Sequence, residues 1–504
     1  MLSSIKHRLS LFLLLAAFFL FLYTTLPFVK LCWDYLQYPY ELDRAEGCIL
    51  TYLYFWKNYG TYFFNLLDYP HTYAAYPPLF VWISLLLSKI SLSLLQATRL
   101  TSILFSWLLI FLIYRIIFQE TRARFFAAVF ALGFSSLLFF QIFAPLGRID
   151  TMTIFFSLAG LYTFQIYSEK DSKKRYWAFL FFILAFLTKQ NSILAPLSIF
   201  LYEITIKKNR RILVPYLSIY FLPILLLIAG LNFYTDGEFI KHIFIYTGQR
   251  HLRFMQIIDG HYIFLTHMPM FVVMFLLIFT QNIWRSMKSK TQSIYMIYAV
   301  LNFFWIINIG VIHSSTNYLL EPAVALVVAG ALASHMWMQI EEEKKNFYLR
   351  STLCALLLCV QALVSFFHIK DYQETLLPRY FMGPHFKNAE QTSRTLDRMI
   401  RITEGDILCA EFSLLIFHDR PVFFGCPPPI VEQGKLKLPK LVQDCRDQRF
   451  RLIIADDQLL RVQGMAECLE EKYVPFSEGD VGFTSPHRIR NYFLFLPKPD
   501  QEIS

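Results

Sequence analysis

The sequence predicts an all-α polytopic membrane protein of about eleven transmembrane helices, with a small C-terminal α/β domain outside the membrane. Three observations lead there. Of the 504 residues, 56% are hydrophobic and only 17% charged, where a water-soluble globule is usually about 45–50% apolar. Apolar runs long enough, or nearly long enough, to cross a bilayer centre near residues 20, 108, 133, 158, 182, 198, 222, 272, 301, 328 and 358. The basic residues behind the net charge of +10 fall in short clusters between these runs, as cytoplasmic loops do, and form no aromatic-interleaved stripe for nucleic acid.

Each element follows from the same reasoning. The basic start MLSSIKHRLS and the apolar run after it resemble a signal peptide without a small-x-small cleavage site, so the run reads as an uncleaved first helix with a cytoplasmic N-terminus. Alternating from there places Arg115, Arg122, Arg124 and the loops SEKDSKKR, KKNRR, WRSMKSK and EEEKK on the cytoplasmic side. Two segments must then be special. Pro77 to Ile90 reads as an interfacial or re-entrant piece rather than a crossing. The stretch from Tyr176 to Ile206 reads as two short helices meeting at TKQN, which keeps Lys189 out of mid-membrane.

The outer face then collects the segments 30–76, APLGRID, TKQN, 232–261, IHSSTNY and the tail from Lys370. In the tail, the runs DILCAEF, RLIIADD and YFLFLP alternate with polar turns and read as strands. The chain therefore divides into a membrane module over 1–369 and an extracytoplasmic α/β domain over 370–504. The eight cysteines show no CxxC or Cys/His ligand spacing, and their pairing is left open.

The outer segments carry the chemistry-bearing side chains. Asp43 and Glu46 lie three apart in ELDRAEG, on one face if helical; spacing alone favours a solvated acidic loop closed by Arg44, and the pair also suits a general base for a sugar hydroxyl or a weak cation site. Arg148 and Asp150 in GRID suit a phosphate clamp and a sugar contact, or an ion pair closing a helical hairpin. Lys189, beside Gln190 at a short-helix apex, suits a lipid phosphate. His313, Asn317, Tyr318 and Glu321 suit a ligand-positioning cluster or a polar network inside the bundle, and His242, Arg250, His251 and Arg253 add cations on the long outer loop.

The ordered set ELDRAEG, YPPL, GRID, TKQ and NYLLE resembles the GT-C superfamily of integral-membrane glycosyltransferases, nearest the protein O-mannosyltransferases and lipid A aminoarabinose transferases. The resemblance covers roughly Leu9 to Gly330. It implies an inverting transfer from a polyprenyl-phosphate sugar to a lipid, glycan or protein acceptor at the outer face of a membrane, the bacterial inner membrane here. It also implies Asp43 as base with Glu46 beside it, Arg148, Lys189 and Arg250 on the phosphate, and Asp150, Gln190, His313, Asn317 and Glu321 positioning sugar or acceptor. The sequence departs from the family in separating the two first-loop carboxylates by Arg44 and Ala45. No cofactor is required and no nucleic-acid partner is expected. A lipid-linked saccharide transporter is the competing reading, weakened because the polar residues gather at one face and no halves repeat.

Overall fold

The computed structural model describes residues 2–90, 92–170, 172–249, 251–277, 292–311, 314–339, 344–372, 384–475, 481–485 and 488–499. The chain opens with α1 (Leu2–Gln37), α2 (Arg44–Tyr59), α3 (Leu79–Ser88), α4 (Leu94–Thr121), α5 (Arg124–Ser135) and α6 (Leu138–Phe143). There follow α7 (Asp150–Glu169), α8 (Trp177–Thr188), α9 (Leu194–Thr205) and α10 (Leu213–Tyr234). A single turn, α11 (Glu238–Ile240), continues as a π-helical turn over Lys241–Tyr246. Then come α12 (Phe254–His267), α13 (Pro269–Leu276), α14 (Ser293–Trp305), α15 (Leu320–Gln339) and α16 (Lys344–Asp371).

Among the described residues, six helical segments are long and apolar enough to cross a membrane: Arg8–Gln37, Leu94–Thr121, Arg210–Tyr234, Ser293–Gly310, Thr316–Gln339 and Phe347–Asp371. A seventh is counted if α12 and α13, which meet at 87°, form one broken span. The apolar run centred near 272 is thus bent rather than straight, because Pro269 opens α13 and offers no N–H to continue α12. The run centred near 133 is likewise divided between α5 and α6. The stretch from Tyr176 to Ile206 is two twelve-residue helices, α8 and α9, that break at Lys189–Ile193, as the buried-charge argument requires. Pro77 to Ile90 holds only the ten-residue α3, too short to span. The first outer segment is more ordered than expected, since α1 runs past Lys30 to Gln37 and α2 fills sixteen residues of the loop.

The bundle is organised around α15. Its run AVALVVAGALAS is buried throughout, and small side chains let neighbouring helices approach closely without leaving gaps in lipid. Helix α13 lies on it at Gly330, whose Cα faces Met274 and the backbone of Phe271. Helices α1 and α16 pack side by side, joined near the N-terminal end by Ser10 and Ser351 hydroxyls 2.6 Å apart.

The tail comprises α17 (Pro384–Ile402), β1 (Asp406–Cys409), α18 (Phe412–Phe417), α19 (Pro439–Arg446), β2 (Phe450–Ala455), α20 (Asp457–Leu460), α21 (Met465–Lys472), β3 (Tyr473–Pro475), β4 (Val481–Ser485) and β5 (Arg488–Pro497). The three predicted strand runs become β1, β2 and β5. The sheet runs β1-β2-β5-β3, with β4 folded back on β5. Strands β1 and β2 are parallel and therefore need the long crossover that carries α18 and α19. The other pairings are antiparallel, with Ile453 opposite Phe495 and Val474 opposite Leu496.

The tail does not bury its apolar surface alone. One hydrophobic cluster joins Ile49, Leu50, Leu53 and Phe55 of α2 and Phe63 and Leu66 of the loop to Ile407, Leu415, Phe424 and Ile453 of the tail. Backbone bonds continue the join: His71 N–H donates to Phe423 O (3.0 Å), Gly425 N–H to His71 O (3.1 Å) and Tyr73 N–H to Cys426 O (2.7 Å). A side chain on Gly425 would run into Thr72 Oγ1, so only glycine permits this approach. Cys48 and Cys426 form a disulfide across the same join, and Cys445 and Cys468 form a second within the tail. Peptide mapping of unreduced protein is expected to recover Cys48 linked to Cys426 and Cys445 linked to Cys468. Gly425→Val should impair assembly of the loop with the tail, read as a loss of the Cys48–Cys426 peptide.

Candidate active site

Helix α2 is set against the bundle by a buried ion pair. Glu46 and Arg99 are both fully buried, and Arg99 grips the carboxylate with two bonds, Nε to Oε1 and Nη2 to Oε2, each 2.8 Å. The remaining capacity of both groups is also filled. Glu46 accepts from Leu42 N–H and Gly147 N–H, each 2.9 Å, while Arg99 donates to the carbonyls of Tyr35, Tyr38 and Tyr40 at 2.5–2.7 Å. Buried charges persist only when paired and hydrogen-bonded, and here one pair ties together the end of α1, the start of α2, α4 and the GRID loop. Glu46 therefore does not share a reactive face with Asp43. Asp43 is the residue just before α2, with extended backbone (φ −147°), and its side chain leaves in another direction.

That direction leads to an alternating row of charges. Arg148 Nη1 lies 2.5 Å from Asp43 Oδ2, and Arg148 Nε lies 3.3 Å from Asp150 Oδ2. The other oxygen of Asp150 accepts from Lys189 Nζ at 2.9 Å and from Asn317 Nδ2 at 3.0 Å. The Lys189 ammonium also stands over the Tyr318 ring, 4.5 Å from its centroid, and the Arg148 guanidinium over Phe143 at 5.1 Å. Four elements contribute: the loop before α2, the turn into α7, the break between α8 and α9, and the 3-10 turn Thr316–Leu319 before α15. Burial works against the charge on Arg148 and on Lys189. The carboxylates beside them outweigh it, and both are held protonated well above their ordinary range.

The remaining predicted residues divide clearly. Gln190 faces away from the charge row and stitches two outer segments together, its Nε2 donating to Ala75 O (3.0 Å) and Ile243 O (3.4 Å). Glu321, one helical turn beyond Asn317, accepts from Tyr298 Oη at 2.7 Å rather than joining Asp150. Arg250 and His313 lie outside the described residues. His242 is not an outer-face cation. It is fully buried, accepts from Ala74 N–H at 3.0 Å through Nδ1 and donates from Nε2 to Phe64 O at 2.8 Å. Burial lowers its pKa to about 4. The residue that sequence reasoning passed over is Arg99, a lone cation at the head of an apolar run, which is itself a signal of a buried partner.

No curated protein matches the chain in sequence. A family model does: that of dolichyl-phosphate-mannose-protein mannosyltransferases, over residues 75–232, the interval holding Arg148, Asp150, Lys189 and Gln190. The fold extends the likeness over nearly the whole chain. ArnT from Cupriavidus metallidurans, solved with undecaprenyl phosphate, matches with a TM-score of 0.57 at 12% identity, over 95% of this chain and 98% of that one. The chain shares the fold of ArnT, and its residues 75–232 match the mannosyltransferase family model. The archaeal oligosaccharyltransferase AglB from Archaeoglobus fulgidus, solved with an inhibitory peptide and a dolichol-phosphate, matches with a TM-score of 0.56 at 12% identity, over 97% of this chain and 75% of that one. Both structural matches run past the family segment at either end.

Two measurements check this assignment of structural and charged roles. Arg99→Ala leaves Glu46 buried and unpaired and is expected to cost about 3–5 kcal/mol, read as a lowered Tm in detergent. His242 has a folded pKa of about 4, below its unfolded value near 6.5. The unfolded state therefore binds the proton first, and stability present above pH 6.5 is lost as pH falls toward 4. The loss is about 3 kcal/mol in all, and His242→Asn should flatten this part of the Tm-against-pH curve.

Proposed function

We propose that this enzyme transfers a sugar from a polyprenyl-phosphate carrier to an acceptor hydroxyl at the outer face of the membrane, with inversion at the anomeric carbon. The observation that carries the reading is the row Asp43–Arg148–Asp150–Lys189, which sets Asp43 beside Arg148 and Asp150 between Arg148 and Lys189. In the step, the acceptor oxygen attacks C1 from the face opposite the phosphate while Asp43 takes its proton. The C1–O bond breaks and its electron pair goes to the phosphate oxygen. A carboxylate paired with Arg148 is a weak base, but proton transfer is late. As C1 becomes electron-deficient, the bound hydroxyl becomes acidic enough for it.

Lys189 and Arg148 supply the charge that the leaving phosphate needs. An ammonium has three donors and a guanidinium five. Asp150 takes one from Lys189, and the two carboxylates take bonds from only Nε and Nη1 of Arg148. Fixed cations in a low-dielectric cleft are worth most where charge develops during reaction. Asp150 keeps both cations in place between turnovers, and Asn317 fixes Asp150. We assign Arg250 to the donor phosphate, His313, Gln190 and Glu321 to positioning the sugar or acceptor, and Glu46 to holding α2. Of the two first-loop carboxylates only Asp43 remains for a divalent cation, since Arg99 takes both oxygens of Glu46; the reaction as written uses none.

The orientation that goes with this is a cytoplasmic N-terminus, eleven crossings once the short helices are counted, and the tail outside, in a bacterial inner membrane. The two disulfides on the loop and tail support it, as they persist in an oxidising compartment. Purified enzyme in vesicles of its source membrane, given radiolabelled undecaprenyl-phosphate hexoses and pentoses, is expected to release undecaprenyl phosphate. Asp43→Asn should lower kcat by about 100-fold or more, and Lys189→Ala should lower kcat with a smaller change in KM. Undiminished turnover in Asp43→Asn overturns its role as base. Membrane-impermeant labelling of a cysteine at position 43 only after the cytoplasmic side is opened overturns the orientation.

A further inference from the structure

Arg44 is the chain neighbour of Asp43, yet its guanidinium is drawn away to the tail. Its Nη1 lies 2.9 Å from Asp456 Oδ2. Asp456 is almost wholly buried at the end of β2, and its other oxygen accepts from the backbone N–H groups of Gln458 (3.0 Å) and Leu459 (2.9 Å) at the start of α20. The carboxylate is thus fixed by the tail's own backbone before it meets Arg44. One turn along α2, on the same face as Arg44, Cys48 is bonded to Cys426. The tail therefore grips α2 at two successive turns, from two separate segments, while Glu46 holds the helix to the bundle.

We propose that Asp456 is a positioning residue for the transfer reaction: it holds Arg44 on the tail side and so keeps this cation off the carboxylate of Asp43. The inference rests on Asp43 being the base. A second guanidinium on Asp43 would compete with the acceptor hydroxyl for the carboxylate and add to the positive charge beside it. One cation beside an Asp depresses its pKa by about one to three units, and Arg148 already supplies one. The groups facing this region are Asp456, Glu411 and the Cys409 thiol from the tail, Glu41 from the loop, and Arg148 and the Arg99–Glu46 pair from the bundle. With Asp456 neutralised, Asp43 is the nearest carboxylate in sequence to Arg44.

The test uses the full chain in vesicles of its source membrane with undecaprenyl-phosphate-linked hexoses and pentoses as donors. Asp456→Asn is expected to lower kcat by about tenfold with donor KM little changed, and to move the acid limb of the kcat–pH profile down by about one unit. Adding Arg44→Gln to Asp456→Asn removes the released cation and should restore kcat to within about threefold of wild type, and Asp456→Glu, which keeps the charge, should retain turnover. A double variant no more active than Asp456→Asn, or an Asp456→Glu variant that is equally inactive, shows a packing role and overturns the proposal. A cryo-EM structure of Asp456→Asn in detergent reads the same point without turnover. Arg44 bonded to Asp43 supports the inference, and Arg44 still on the tail overturns it. Wild-type enzyme that turns over none of these donors overturns the proposed function instead.

Discussion

A carboxylate and a guanidinium, both removed from solvent, set the frame for everything on the outer side. Among the described residues, Glu46 and Arg99 are each other's ion-pair partner, and an unpaired ion there costs several kcal/mol. The pair and its five further hydrogen bonds therefore admit one relative placement of α1, α2, α4 and the turn into α7. Because Asp43 begins α2 and Arg148 follows Gly147, both inherit their positions from it. The groups we assign to chemistry are held by groups that take no part in it.

The charge row is balanced, two acids against two bases, and this explains how buried cations can wait without substrate. Each cation has a carboxylate to lean on, so the site is stable when unoccupied. Each also keeps donors in reserve, so a phosphate is added to the row rather than exchanged for a member of it. Asp150 is central to this economy, touching Arg148, Lys189 and Asn317 at once. Its position at the first turn of α7 also sets a negative charge against the positive end of the helix dipole.

How much of this the sequence reveals depends on the range of the interaction. Local patterns are legible: the runs DILCAEF, RLIIADD and YFLFLP, each of which holds or overlaps a strand, and the break at TKQN, forced by one lysine in an apolar stretch. The members of the charge row are legible as well, because a charged residue beside a membrane span needs a reason. The division of labour between Asp43 and Glu46 is not. Spacing puts both on one helical face, and only the position of Arg99, more than fifty residues away in sequence, decides which is buried. The union of the first loop with the tail is equally hidden, since Arg44 with Asp456, Cys48 with Cys426 and His71 with Phe424 join residues about 350 to 410 apart. A hydrophobic pattern shows that a surface must be covered, and leaves open by what.

The same union has a consequence for biosynthesis. Cys48 and Cys426 are separated by 378 residues, and ribosomes add roughly 5–20 residues each second. The first loop is delivered to its compartment well before the strand that completes its core has been made, an interval on the order of half a minute at those rates. Through that interval the apolar side of α2 has no tail to cover it, and Cys48 has no Cys426 to pair with. The nascent chain is therefore most vulnerable to wrong pairing and to quality-control proteases after its first crossing and before its last. A ribosome that stops early yields a bundle in which Glu46 and Arg99 still hold α2 but the grip of the tail through Asp456 and Cys426 is missing.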